Sequence, residues 1–174
     1  MKNKKEVTER SFNPSQLSGF DGMYSIQLPI DFIHDLSKAD SLQAALDIIA
    51  YWISHVFDAD RASITLQDTD EYLKLYSISG NHAIPMDFKI PIGQTFVGRV
   101  FAQSQLIICD DLAQSNELDC QMLAEHGMGS CMDAPMIHNG VCIGTLNVAD
   151  VRKHHYSLQQ AILLQCLATW LALN

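Results

Sequence analysis

The readiest covalent chemistry in this 174-residue chain belongs to five cysteines, Cys109, Cys120, Cys131, Cys142 and Cys166. They form no C-x-x-C pair and are odd in number, so neither a thioredoxin-like motif nor a closed disulfide framework is indicated. Buried thiols in a reduced, cytoplasmic setting are expected. The interval of eleven residues between successive members of the first four reads as coincidence, because free Cys usually packs as a small hydrophobe. His126 together with Cys131 and Asp133 has no recognised metal-ligand spacing, and no metal site is expected there. His126 also stands where a helix should end, a place that suits a side chain facing the last carbonyls. His154 and His155 lie in a polar run and read as solvated. Asp133 is the sharper candidate: a carboxylate at a buried strand position is costly unless paired, and no basic residue stands near it in sequence.

The element that must position Asp133 is a hairpin within Gly127 to Asp150. Ser130 to Ile137 reads as one strand and Val141 to Val148 as its return, with the turn in His138-Asn139-Gly140, since Asn-Gly tolerates positive φ. Side chains on a pleated strand alternate, so Leu146 and Val148 share one face and Thr145 and Asn147 the other. Arg61 to Gln67 has the same design, with Ala62, Ile64 and Leu66 alternating against Ser63, Thr65 and Gln67. A solvated sheet face and the floor of a polar pocket both produce this pattern.

One domain over 26–174 is expected, preceded by a mobile polar leader over 1–25 that contains Asn13-Pro14, Gly19 and Gly22. Net charge is -9, and from residue 11 onward 7 basic residues stand against 18 acidic ones. Such a body should repel nucleic acid and anionic membrane. The polar start has no apolar run behind it, which gives no signal peptide, and no stretch is long and apolar enough for a transmembrane helix.

A short helix is predicted at Asp31 to Ser37, then the main helix, capped by Asp40 or Ser41, with Leu42, Leu46, Ile49, Ile53 and Val56 in register. Ala45, Ile48 and Trp52 widen that stripe enough to call for a second partner, a helix or a subunit. Strands are predicted at Arg61 to Gln67, Tyr72 to Ser79, Phe88 to Ile92 (an edge, with Pro91 inside) and Leu106 to Cys109. Thr95 to Gln103 reads as a helix. Glu117 to His126 reads as another, capped by Asn116 or Ser115, with Leu118, Met122 and His126 along one side. Ser157 and Gln160 make a capping box for the closing helix, Leu158 to Leu173, which is apolar nearly all round.

This order gives an α+β architecture with helices on one face of an antiparallel sheet. Ile90-Pro91-Ile92-Gly93, Val97-Gly98, Asp110-Asp111-Leu112 and Gly127-Met128 with Ser130, Pro135 and Gly144 together resemble the GAF domain family over about residues 40–174. The resemblance implies an antiparallel sheet of about six strands with the first and last helices on one face. A pocket roofed by loops and short helices would lie on the other. Its floor would receive Ser63, Thr65, Cys131, Asp133, Thr145 and Asn147, and its roof Phe96, Met122 and His126. It further implies a sensory or regulatory module for a small molecule and a homodimer through the helices at 41–57 and 157–173.

Subclasses of the family test residue by residue. Free methionine sulfoxide reductases place a cysteine just before the glycine that resembles Gly98, where this chain has Val97, and Cys120 only loosely resembles their other thiol. Bilin-binding domains place a Cys-His pair where this chain has Leu118 and Asp119. No Asn-Lys-Phe-Asp-Glu motif of the cyclic-nucleotide members is found. The expectation is therefore a non-catalytic sensor with unknown cofactor, signalling to an attached or separate output domain such as a cyclase or kinase. A thiol reductase using Cys120 or Cys131 and a ligand-free dimerisation scaffold are the alternatives.

Overall fold

A computed structural model describes residues 8–18, 25 and 27–173. Among the described residues seven strands form one antiparallel sheet: β1 (Glu9–Phe12), β2 (Arg61–Gln67), β3 (Tyr72–Gly80), β4 (Ile90–Pro91), β5 (Leu106–Cys109), β6 (Ser130–His138) and β7 (Val141–Asp150). Their spatial order is β1-β5-β6-β7-β2-β3-β4, so the predicted hairpin β6–β7 lies at the centre with β2 against it. Among the described residues five α-helices accompany them: α1 (Ile30–Ser37), α2 (Leu42–Val56), α3 (Phe96–Gln103), α4 (Leu118–Glu125) and α5 (Leu158–Ala172).

The central turn forms because Asn139 and Gly140 take φ of 50° and 77°, the paired positive values that a tight hairpin needs. The alternation of β2, β6 and β7 then separates two apolar layers. Ala62, Ile64, Met132, Ala134, Leu146 and Val148 face α2 and α5, where they pack with Ile49, Ile53, Leu164 and Leu167. A fully buried side chain of this size contributes roughly 1.5–3 kcal/mol, so the layer is the main source of stability. On the other face Leu73, Leu75, Ile107, Cys109, Cys131 and Ala149 pack beneath α3 and α4 with Phe96, Val100, Leu112 and Leu123.

Local signals set the helix ends. Ser41 caps α2 by accepting from the Ala44 N–H at 3.1 Å, and Ser157 with Gln160 makes the capping box of α5. The wide stripe of α2 has its second partner in α1: Trp52 packs against Phe32 with ring centroids 6.2 Å apart and donates its indole N–H to Asp35 at 2.9 Å.

Several expectations change. Glu9–Phe12, inside the stretch read as a leader, is an edge strand that pairs with β5 and brings the sheet to seven strands. Arg10 fixes it by a bidentate bond to the buried Asp110, a long-range partner that a local reading of polar residues cannot see. Residues 1–7 and 19–24 of that leader lie outside the described residues, as does residue 26. The edge strand expected over Phe88 to Ile92 is confined to Ile90–Pro91, because Pro91 offers no N–H to extend the ladder. Helix α4 has Glu117 as its N-cap without a side-chain cap, while Ser115 Oγ accepts the Glu117 N–H at 3.2 Å. Not every thiol is buried, since Cys166 is exposed on α5.

Candidate functional site

Register across the sheet assembles the site. One row runs Cys109, Cys131, Ala149, Arg61, and the next runs Ile107, Asp133, Asn147, Ser63. A third places Thr145 opposite Thr65. Because side chains alternate, all three rows point away from α2 and α5 and toward α3 and α4. Between the rows and the helices lies a cavity of about 30 Å³. Arg61, Ser63 and Thr65 of β2, Cys131 and Asp133 of β6, and Asn147 of β7 contribute to its lining. From above it is closed by Val97 of α3, Asp119 and Leu123 of α4, and Ile84 and Ile90 beside β3.

Three charged side chains are buried there: Arg61, Asp119 and Asp133 are 3%, 3% and 5% exposed. Arg61 donates to the carbonyls of Asn81 at 2.6 Å and Ile84 at 3.3 Å, pinning the loop that forms one wall. Burial brings its guanidinium down to about 10, with Asp133 opposing that shift. Asp119 accepts N–H bonds from Phe96 at 2.8 Å, Val97 at 3.0 Å and Cys120 at 3.0 Å. Together with Thr95 Oγ1, which accepts from Gly98 at 3.0 Å, it satisfies the first three N–H groups of α3. Burial nevertheless pushes the Asp119 carboxyl up, the three N–H bonds only moderating it.

Asp133 has no hydrogen-bonding partner among the described residues. Burial first, then the neighbouring Asp119, holds its carboxyl well above the usual range, and Arg61 counteracts only in part. Beside it Asn147 donates to Ser63 Oγ at 3.2 Å, while its own Oδ1 is buried without a partner. The cavity thus offers a guanidinium, a carboxyl whose burial favours its protonated form, and an unsatisfied amide oxygen in one lining. Buried polar groups of this kind are costly and are ordinarily satisfied by protein groups or ordered water. At this size the space takes roughly two waters, so anything larger requires the roof to move.

Of the residues expected on the floor, the structure brings Ser63, Thr65, Cys131, Asp133 and Asn147 to the cavity. Thr145 lies fully buried below it, hydrogen-bonded to Thr65 Oγ1. The expected roof residues are elsewhere. Phe96 is packed in the roof-side core with no exposure, and Met122 lies at the edge of that core. His126 is exposed, its Nδ1 at 2.9 Å from the Met122 carbonyl. Helix α4 turns Asp119, Cys120 and Leu123 inward instead of Leu118, Met122 and His126. Sequence reasoning missed Arg61 and Asp119. Arg61 has the same parity as Ser63 and Thr65, which was signal enough; Asp119 is bonded to a helix over twenty residues away in sequence, and no local pattern marks that.

The eleven-residue spacing also acquires a meaning. Cys109 and Cys131 are opposite one another in register, and Cys120 joins them in the roof-side core, whereas Cys142 lies apart with its thiol 3.3 Å from the Gly144 carbonyl.

The GAF domain profile matches residues 41–174. Among solved structures, the chain is similar to the GAF domain of a phosphoenolpyruvate-protein phosphotransferase from Coxiella burnetii, with TM-score 0.70, 20% identity, and coverage of 82% of this chain and 87% of that one. A second is the corresponding Acinetobacter domain, with TM-score 0.69, 17% identity and coverage of 82% and 86%. A third is free methionine-R-sulfoxide reductase from Neisseria meningitidis in complex with its substrate, with TM-score 0.70, 19% identity and coverage of 86% and 94%. Curated proteins include no match to the sequence. No helix among the described residues is long and apolar enough to cross a membrane.

Proposed function

The chain belongs to the GAF domain family, and from that premise we propose that it is a non-catalytic sensor whose cavity binds a compact, polar small molecule. The observation that carries this reading is the buried Asn147 Oδ1 atom without a partner, in a cavity that it lines together with Asp133 and Arg61. A ligand that presents N–H or ammonium donors to the two oxygens and an acceptor to the guanidinium would satisfy all three. An amino acid or the edge of a nucleobase has that complement.

The size of the cavity supports sensing as distinct from static binding. A ligand larger than the roughly two waters it holds must displace α3, α4 or the loop through Ile84, and binding then favours an open roof over the closed one. The output is proposed to be a homodimer through α2 and α5, in keeping with the exposed apolar side chains Leu42, Leu158 and Leu173, which are 68%, 42% and 66% exposed. An attached or separate output domain, such as a cyclase or kinase, would read the change. Light scattering after size exclusion checks the dimer, for which a monomer at high concentration is the contrary result.

The site is tested by thermal unfolding against a panel of free L-amino acids, nucleosides and nucleotides. At least one class raises the midpoint of the wild type and leaves Asp133→Asn unmoved. Equal shifts in both proteins, or none in the wild type, contradict the assignment. Reduction of free methionine sulfoxide by the wild type, lost when Cys120 or Cys131 is replaced, would instead favour the thiol-enzyme alternative.

A further inference from the structure

Three thiols from separate elements meet beside the cavity, and the ligand-sensing reading uses none of them as a nucleophile. Cys109 of β5, Cys131 of β6 and Cys120 of α4 are 1%, 2% and 0% exposed and share one core cluster. Directly opposed residues on neighbouring antiparallel strands have Cα atoms roughly 4.5–5.5 Å apart. A disulfide spans Cα separations of roughly 4.4–6.8 Å, and the opposed Cys109 and Cys131 fall in that range.

We propose that Cys109 and Cys131 are a redox pair that closes to a disulfide when a small hydroperoxide enters the cavity. The chemistry of the cluster divides the roles. The neighbouring Cys120 and Cys131 thiols favour Cys109 as the thiolate of the three, against the opposing effects of burial and Asp110. The same contacts and burial hold Cys120 and Cys131 in the thiol form. Cys131 lines the cavity and Cys109 stands directly opposite it in register, so an oxidant reaches the pair from the Cys131 side.

The Cys109 sulfur attacks one peroxide oxygen, the O–O bond breaks, and the departing oxygen takes a proton to leave as water or an alcohol. Cys109 becomes a sulfenic acid and the peroxide is reduced. The Cys131 sulfur then attacks that sulfur; the S–O bond breaks, the Cys131 proton leaves with the hydroxyl as water, and the S–S bond forms. A small dithiol restores both thiols with two electrons. The bridge would tie β5 to β6 one row away from Asp133.

The test uses Cys166→Ser, which removes the exposed thiol that would cross-link separate chains and leaves four. The folded protein is treated with hydrogen peroxide, quenched, unfolded in an alkylating agent and weighed by intact mass spectrometry. Two of the four thiols escape alkylation, a digest contains the peptide joining Cys109 to Cys131, and a dithiol restores all four labels. Four labelled thiols after peroxide, a bridge that uses Cys120, or overoxidised Cys109 without a bridge overturns the proposal. A further Cys131→Ser change leaves a sulfenic acid at Cys109 that a cyclic 1,3-diketone traps; trapping spread equally over the remaining cysteines also overturns it.

Discussion

Arg61 and Asp133 face one buried cavity from strands that flank β7, and they form no ion pair with each other. Each acts on the other only through space. Arg61 spends its nearest hydrogen bonds on the Asn81 and Ile84 carbonyls, which leaves the carboxyl of Asp133 to burial and to the repulsion of Asp119. A cation and an acid held apart in an enclosed space form an arrangement that a third, polar molecule completes.

Replacing Asp133 by Asn should therefore stabilise the ligand-free protein at neutral pH. Its folded carboxyl titrates above the unfolded value of roughly 3.9, so over that interval the folded state keeps a proton that the unfolded state has lost. Stability from this group falls as pH rises through the interval, by at most about 1.4 kcal/mol per pH unit. The difference between Asp133→Asn and wild type, measured by urea unfolding, should grow from near zero at pH 4 or below toward neutral pH. Asp119 is present in both proteins and enters the comparison only through its coupling to Asp133.

Asp119→Ala should be destabilising, because it removes the acceptor of the first two N–H groups of α3 and of Cys120. A loss of about 2–3 kcal/mol is expected from hydrogen bonds to a charged or partly charged group. Hydrogen exchange should quicken at Phe96 and Val97 ahead of the central strands. Uniform quickening would mean that Asp119 does not join the roof helices locally.

The Arg99 side chain binds Glu9 of β1 at 2.7 Å and Glu117 at the start of α4 at 2.6 Å. Those hydrogen bonds, Glu117 before Glu9, raise its guanidinium above the ordinary value. Arg99→Met should cost about 1 kcal/mol at low salt and less at high salt, since the groups are partly exposed. Exchange at Glu9–Phe12 should rise in the variant. Unchanged protection there would show that Arg10 and Asp110 alone hold the edge strand.

At Gly98, an added Cβ would collide with the backbone of Ile92 and with Thr95 Oγ1. Gly98→Ala should cost about 1–3 kcal/mol by overpacking and open the turn that leads into α3. Equilibrium unfolding checks the cost, and a neutral effect would mean that the turn yields without strain.

Much of this architecture was legible in the residues. Alternation in β2, β6 and β7 sorted the two faces of the sheet, and it placed Ser63, Asp133 and Asn147 on the correct side. Asn139-Gly140 marked the central turn, and Ser157 with Gln160 the start of α5. What escaped was non-local. Glu9–Phe12 is a strand because β5 and Asp110 receive it, and its own composition is that of a polar tail. The roof was misassigned because α4 is short and weakly amphipathic, so a one-residue choice of face exchanged Asp119 for Met122 and His126. The cysteine spacing became meaningful only once register set Cys109 against Cys131.

The central claim is that the Arg61, Asp133 and Asn147 cavity receives a small molecule. Native mass spectrometry of protein freshly purified from cells tests it most directly, with Asp133→Ala prepared in parallel. The wild type should carry an added mass that is released on denaturation and reduced at least tenfold in the variant. The bare chain mass in both preparations, or an adduct held equally by the two, would contradict it.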